Sequence, residues 1–188
     1  VSGVKKRFAF FLKGALIMHS FIFNLRETDD KTTYEDYEVA GMFNRADYVE
    51  EFPKESRYYK QALEMLKKEC HGEIYWGTDI TTQKGKLPLR NWSKLISSDW
   101  NTKYVKDTLL KLSIKAIEDY RRKIRRKYTD TQIDEKTGFL FINNLGEVEN
   151  EYYYFGNLLS YLKEKSQKVS NGDGYVYLWV NQVFDYHY

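Results

Sequence analysis

One cysteine, Cys70, is all the chain has in 188 residues, and there are only two prolines. A lone cysteine excludes an intrachain disulfide and any multi-cysteine zinc site, and it points to a reducing compartment, for which the cytoplasm is the simplest inference. Long hydrophobic runs are missing as well. The most apolar stretch, residues 8–25, is interrupted by Lys13, His19, Ser20 and Asn24, and it falls short of the roughly 20 mostly apolar residues that a membrane-crossing helix requires. Lys5-Lys6-Arg7 have the basic character of a signal-peptide start, but Lys13 breaks the apolar region and no small-residue cleavage pattern follows. No membrane partner is therefore expected.

The motifs of several enzyme classes are also missing. No Gly-rich phosphate loop precedes a helix, and neither HExxH nor Gly-x-Ser-x-Gly occurs. Asp134-Glu135-Lys136 has the carboxylate-x-Lys spacing of some nucleases but falls before an expected strand, in a turn, rather than at a strand end. No internal repeat or low-complexity segment is found. The sequence discloses no reaction and implies no cofactor, except magnesium if the protein were a nuclease.

What is present is aromatic and charged. Seventeen Tyr, eleven Phe and four Trp supply large surfaces suited to a core, an interface or base stacking. The 42% hydrophobic and 30% charged fractions are those of a globular chain, and a chain of this length removes about 70% of its unfolded surface from water. The expectation is one α+β domain over 1–188, with a long amphipathic helix packed on an antiparallel sheet formed largely by the C-terminal half.

Residues 8–25 are apolar on both sides, so they read either as a helix buried nearly all round or as a hairpin turning at Lys13-Gly14, with the Phe and Ile content favouring strands. Residues 27–55 carry ten acids against three cations and read as a loop-rich connection. After Pro53, Tyr59, Ala62, Leu63, Leu66 and Cys70 share one helical face, with Gly72 placed to end it. A short strand over 73–78 and a turn at 83–86 follow. Asp99 or Asn101 is positioned to cap a helix of nearly thirty residues ending at Lys127, with Val105, Leu109, Leu112, Ala116 and Tyr120 as its stripe. Residues 139–142 and 147–155 read as strands around the turn 143–146, Asn157 as the cap of a short helix, 171–174 as a turn, and 175–184 as the strongest strand.

The charge pattern concentrates in Arg121, Arg122, Lys123, Arg125, Arg126 and Lys127, six cations in seven residues, followed by Tyr128. Cations on the end of a rigid helix release counterions from a polyanion and make bidentate phosphate contacts, which points to RNA or DNA. The same residues also satisfy a helix macrodipole, or pair with the acidic segment 27–55. Glu147, Glu149 and Glu151 would project from one face if they lie on a strand, which is how a magnesium site of a divergent nuclease is built; an ordinary solvated hairpin face has the same pattern. Asp185 and His187 alternate near the C-terminus, where a frayed tail is expected; His19 reads as a core histidine and His71 as a helix-end cap.

These residues are compatible with three functions. The first is a nucleic-acid-associated protein that contacts RNA or DNA, or a nucleic-acid-containing complex, through the basic helix end, with Tyr128 stacking at its edge. The second is a protein-binding inhibitor or regulator of a nucleic-acid-handling enzyme. It would use a Tyr-rich surface and the acidic residues Glu27, Asp29, Asp30, Glu35, Asp36 and Glu38 as phosphate mimics. The third is the metal-dependent nuclease.

Overall fold

A computed structural model describes residues 9–12, 15–27, 48–83, 85–88, 107–134, 138–143, 145–164 and 174–187. The hairpin β1 (Ala9–Leu12) and β2 (Ala15–Glu27) is followed by β3 (Tyr48–Glu51), α1 (Arg57–Cys70), β4 (Glu73–Trp76) and α2 (Gly77–Thr82). Next come β5 (Thr108–Ser113), α3 (Ile114–Lys127), α4 (Asp130–Asp134), β6 (Leu140–Ile142), β7 (Val148–Asn150), α5 (Glu151–Glu164) and β8 (Tyr175–His187). The fold is α+β. The strand order is β4-β5-β8-β2-β6-β7, with β1 added to β2 and β3 to β8.

The sheet is mixed rather than purely antiparallel, because β2 runs parallel to β6 while the other described pairings are antiparallel. Four of the six strands in that order, β5, β6, β7 and β8, come from the C-terminal half, and β2 from the N-terminal half lies beside the long central strand β8. The apolar stretch resolves as a strand because both its faces are covered where its side chains are described. Phe21, Phe23 and Leu25 join the main core, and Ile22 joins a smaller cluster with Ile142 and Phe184.

The main core lies between the sheet and the helices α1, α3 and α5. Alternation along β8 sends Val176, Leu178 and Val180 into it, and Tyr177 and Trp179 into a second cluster with Leu109, Ile80 and Leu87. The α1 stripe is the expected one, with Tyr59, Ala62, Leu63, Leu66 and Cys70 all buried, and Ser56 caps it by accepting the Tyr59 N–H at 3.1 Å. His71, not Gly72, takes the left-handed conformation at its end, with φ 50°. Space is tight at Gly72. A Cβ there would stand 2.7 Å from Leu112 Cδ2 and 3.1 Å from the Lys111 carbonyl oxygen, so a side chain would have to displace Leu112 where α1 turns into β4 against β5.

The helix of nearly thirty residues does not form. Thr108-Leu109-Leu110-Lys111-Leu112-Ser113 pairs with β4 on one side and β8 on the other, and α3 begins only at Ile114, where Ser113 accepts the Ala116 N–H. Three leucines in six residues satisfy helical and strand periodicities equally, and here the neighbouring strands supply ladder hydrogen bonds. The expected caps Asp99 and Asn101 lie outside the described residues, as do 28–47, most of the acidic segment, and residues 13–14 and 171–173 of two expected turns.

The strand expected over 147–155 stops at Asn150. Its side-chain oxygen accepts from the Tyr152 and Tyr153 N–H groups, which opens α5, and Tyr154, Phe155, Leu158, Leu159 and Leu162 are buried at helical spacing. Asn157 therefore lies inside the helix rather than at its start. The turn before β7 is as expected, with Gly146 at φ 81° and the Asn143 side chain accepting the Leu145 and Glu147 N–H groups. The C-terminal strand does not fray before His187, whose backbone pairs with His19 on one side and Tyr48 on the other.

Candidate nucleic-acid interface

The cluster sits on α3, whose fourteen residues hold seven cations against Glu118 and Asp119. Ile117, Tyr120 and Ile124 anchor the helix to the core, so the cations on the opposite side face water. Arg122, Lys123, Arg125, Arg126 and Lys127 are exposed. The helix divides the cluster into three parts.

Arg121 belongs to the packing of α3 on α5. Its Nε donates to the Tyr152 carbonyl oxygen at 2.9 Å, and its guanidinium carbon lies 4.4 Å from the centre of the Tyr152 ring. The guanidinium lies so close to Gly156 that a Cβ there would be 2.6 Å from Nη2. Arg121 is thus turned inward, away from the phosphate-binding role that its place in the run suggests.

Arg122 and Arg125 are paired with local acids. Arg122 Nη1 is 3.0 Å from Asp119 Oδ1, and Arg125 pairs with Asp130 at the start of α4. Lys115 also reaches Asp119, one turn earlier, at 3.0 Å. Its hydrogen bond and charge, together with the charge of Arg122, hold the Asp119 carboxyl below the usual aspartate range. Such exposed pairs contribute little, about 0 to 1 kcal/mol.

Lys123 and Arg126 make no hydrogen bond or ion pair among the described residues. Lys127 lies over the Tyr128 ring at 5.1 Å. Tyr128 ends α3 with its N–H donating to the Ile124 carbonyl at 3.0 Å, and its ring packs partly against the main core. The outer face is therefore a strip of five cations, two of them engaged by exposed acids, with a half-buried ring at its end.

The three glutamates do not share a strand face. Glu147 is in the turn and exposed, Glu149 is on β7, and Glu151 is the first residue of α5 and 2% exposed. The Tyr120 hydroxyl donates to Glu151 Oε1 at 3.1 Å, and both carboxylate oxygens lie where a Cβ on Gly138 would be, at 2.7 and 2.8 Å. Burial, then the Glu151 charge, pushes the Tyr120 hydroxyl well above its usual range and keeps it a proton donor. Glu149 accepts from Asn157 Nδ2 at 3.1 Å, and burial raises its carboxyl above the ordinary value. No group of three or more His, Cys, Asp or Glu among the described residues is placed to hold a metal ion.

The aromatic sets are mostly absorbed by packing. Tyr154 stacks on Phe141 at 4.4 Å within the core, Tyr152 lies under Arg121, and Tyr177 and Trp179 are buried. Tyr153 is the exposed member of its run, and its hydroxyl donates to Asp134 Oδ1 at 2.5 Å.

A groove of about 340 Å³, unforeseen from the sequence, lies between the end of α1 and the side of α3. Glu69 and His71 line one wall, and Lys115, Asp119 and Lys123 the other. The spacing of those three at i, i+4 and i+8 marks one helix edge, but what stands opposite is set by the tertiary fold.

The fold and this face define an α+β protein with a solvent-facing cationic helix. The chain matches no family model, no curated protein and no solved structure. No helix among the described residues is long and apolar enough to cross a membrane.

Proposed function

We propose that the protein binds nucleic acid through the phosphates, using the outer face of α3. Lys123, Arg126 and Lys127 carry the contact, Arg122 and Arg125 add to it when they leave Asp119 and Asp130, and Arg121 holds the helix in place from behind. The observation that supports this reading is the state of Lys123 and Arg126, exposed on a rigid helix with no acidic partner among the described residues. Cations already committed to internal pairs would have to give up those pairs before meeting a phosphate; these two do not. The position at the helix C-terminus stabilises positive charge whatever its use, so it explains why the cluster is tolerated and not what it touches.

Support for the protein-binding alternative is thinner. Among large hydrophobic side chains of the described residues, Tyr58, Leu145 and Tyr153 are the exposed ones, and they lie on α1, a turn and α5 rather than in one sequence-local patch.

The test is the salt dependence of binding to short RNA and DNA by fluorescence anisotropy. With Arg122, Lys123, Arg126 and Lys127 all changed to Ala, the plot of log Kobs against log salt is expected to flatten by about 3, at roughly 0.7 to 0.9 for each phosphate that is no longer neutralised. Weak binding by the parent protein with no salt slope would reject the proposal.

A further inference from the structure

We infer that the groove between α1 and α3 is a base-reading subsite for single-stranded nucleic acid, which selects bases that carry an exocyclic amine. This rests on the phosphate-binding reading above and assigns it a specificity element. The groove adjoins the outer face of α3 through Lys123, so a phosphate held by Lys123 places the attached nucleotide at its mouth. A volume of about 340 Å³ is that of a small-ligand cleft and is large enough for one base.

The chemistry of the walls carries the choice of base. Glu69 is half-buried, lines the groove, and makes no hydrogen bond or ion pair among the described residues. A carboxylate offers acceptors only, so it rewards the exocyclic amino group of cytosine, adenine or guanine and meets the carbonyl oxygens of uracil with repulsion. Asp119 on the opposite wall is engaged by Lys115 and Arg122, which leaves Glu69 as the available acceptor. His71 stands exposed beside it at the left-handed end of α1, and its ring is of the kind on which a splayed base stacks. Lys123 is the one cation of the groove with no acidic partner among the described residues.

The test measures anisotropy binding of the parent protein, Glu69→Gln and Glu69→Ala to twelve-residue oligo-C, oligo-A and oligo-U at one salt concentration, and the salt slope of each protein on oligo-C. The parent is expected to prefer oligo-C and oligo-A to oligo-U by about tenfold, the discrimination of one good base contact. Both variants should lose that preference and keep the salt slope, because Glu69 touches no phosphate. Equal parent affinity for the three oligomers with a steep slope would overturn the base-reading groove and leave the phosphate-binding face standing. A preference that survives in both Glu69 variants would overturn it too. Absence of any salt-dependent binding would remove both readings together.

Discussion

Glu151→Ala is expected to lower the unfolding free energy by about 3 kcal/mol or more, a large effect for a single truncation. Glu151 is 2% exposed, receives the Tyr120 hydroxyl at 3.1 Å, and is packed onto Gly138. Truncation removes a hydrogen bond to a charged group, takes this acceptor from Tyr120, and opens a space where α3, α5 and Gly138 meet. Glu151→Gln keeps an acceptor for Tyr120 and should recover part of the loss. Glu147→Ala, on the exposed turn, should change stability by no more than about 0.5 kcal/mol. Urea unfolding of the three variants checks this order. Equal, small effects at both positions would mean that Glu151 is no part of the core, and would restore the solvated row of carboxylates that a strand would have given.

The second large effect concerns Arg121. Arg121→Ala loses a charged donor to the Tyr152 carbonyl and a cation–π contact, together about 2 to 3 kcal/mol. Gly156 supplies the sharper test. Alanine is favoured over glycine in a helix interior by about 1 kcal/mol, yet a Cβ at Gly156 would meet the Arg121 guanidinium at 2.6 Å. Gly156→Ala is therefore expected to destabilise the parent protein and to stabilise the Arg121→Ala background by about 1 kcal/mol. A double-mutant cycle reads this change of sign directly. Additive effects in the cycle would show that the guanidinium does not occupy that place.

Neither role is written in the local sequence, whereas other parts of the fold are. The α1 stripe is legible because it has one consistent period and clear boundaries, and the strand from 175 because it is a dense β-branched and aromatic run after a turn, although it continues to His187 rather than ending at 184. The hairpin at 8–25 is ambiguous because its residues are apolar on both sides, which two-sided burial permits in a strand as well as in a helix. Residues 108–113 mislead for a related reason. The periodicity of Leu109, Leu112 and Ala116 runs through the true boundary at Ser113, and only the ladders with β4 and β8 break it. Glu151 looks like a strand residue because alternation with Glu147 and Glu149 continues for one residue past the Asn150 cap.

The proposed binding face is legible in part. Six cations in seven residues locate the surface, but the tertiary fold then assigns them different work. Arg121 and Arg125 stand one turn apart on the same helix edge, and spacing alone does not say that the first meets α5 while the second meets Asp130. The groove is not legible at all. Glu69 and Lys123 come from different helices, and nothing in the local sequence of either signals the other.

The most direct test of the central claim is lysine acetylation footprinting of the folded protein with and without a short single-stranded oligonucleotide, read by mass spectrometry at each lysine. Protection concentrated at Lys123 and Lys127, with exposed Lys60 and Lys86 unaffected, is the expected result. Protection elsewhere, with Lys123 and Lys127 as reactive as in the free protein, would contradict the assignment of the α3 face.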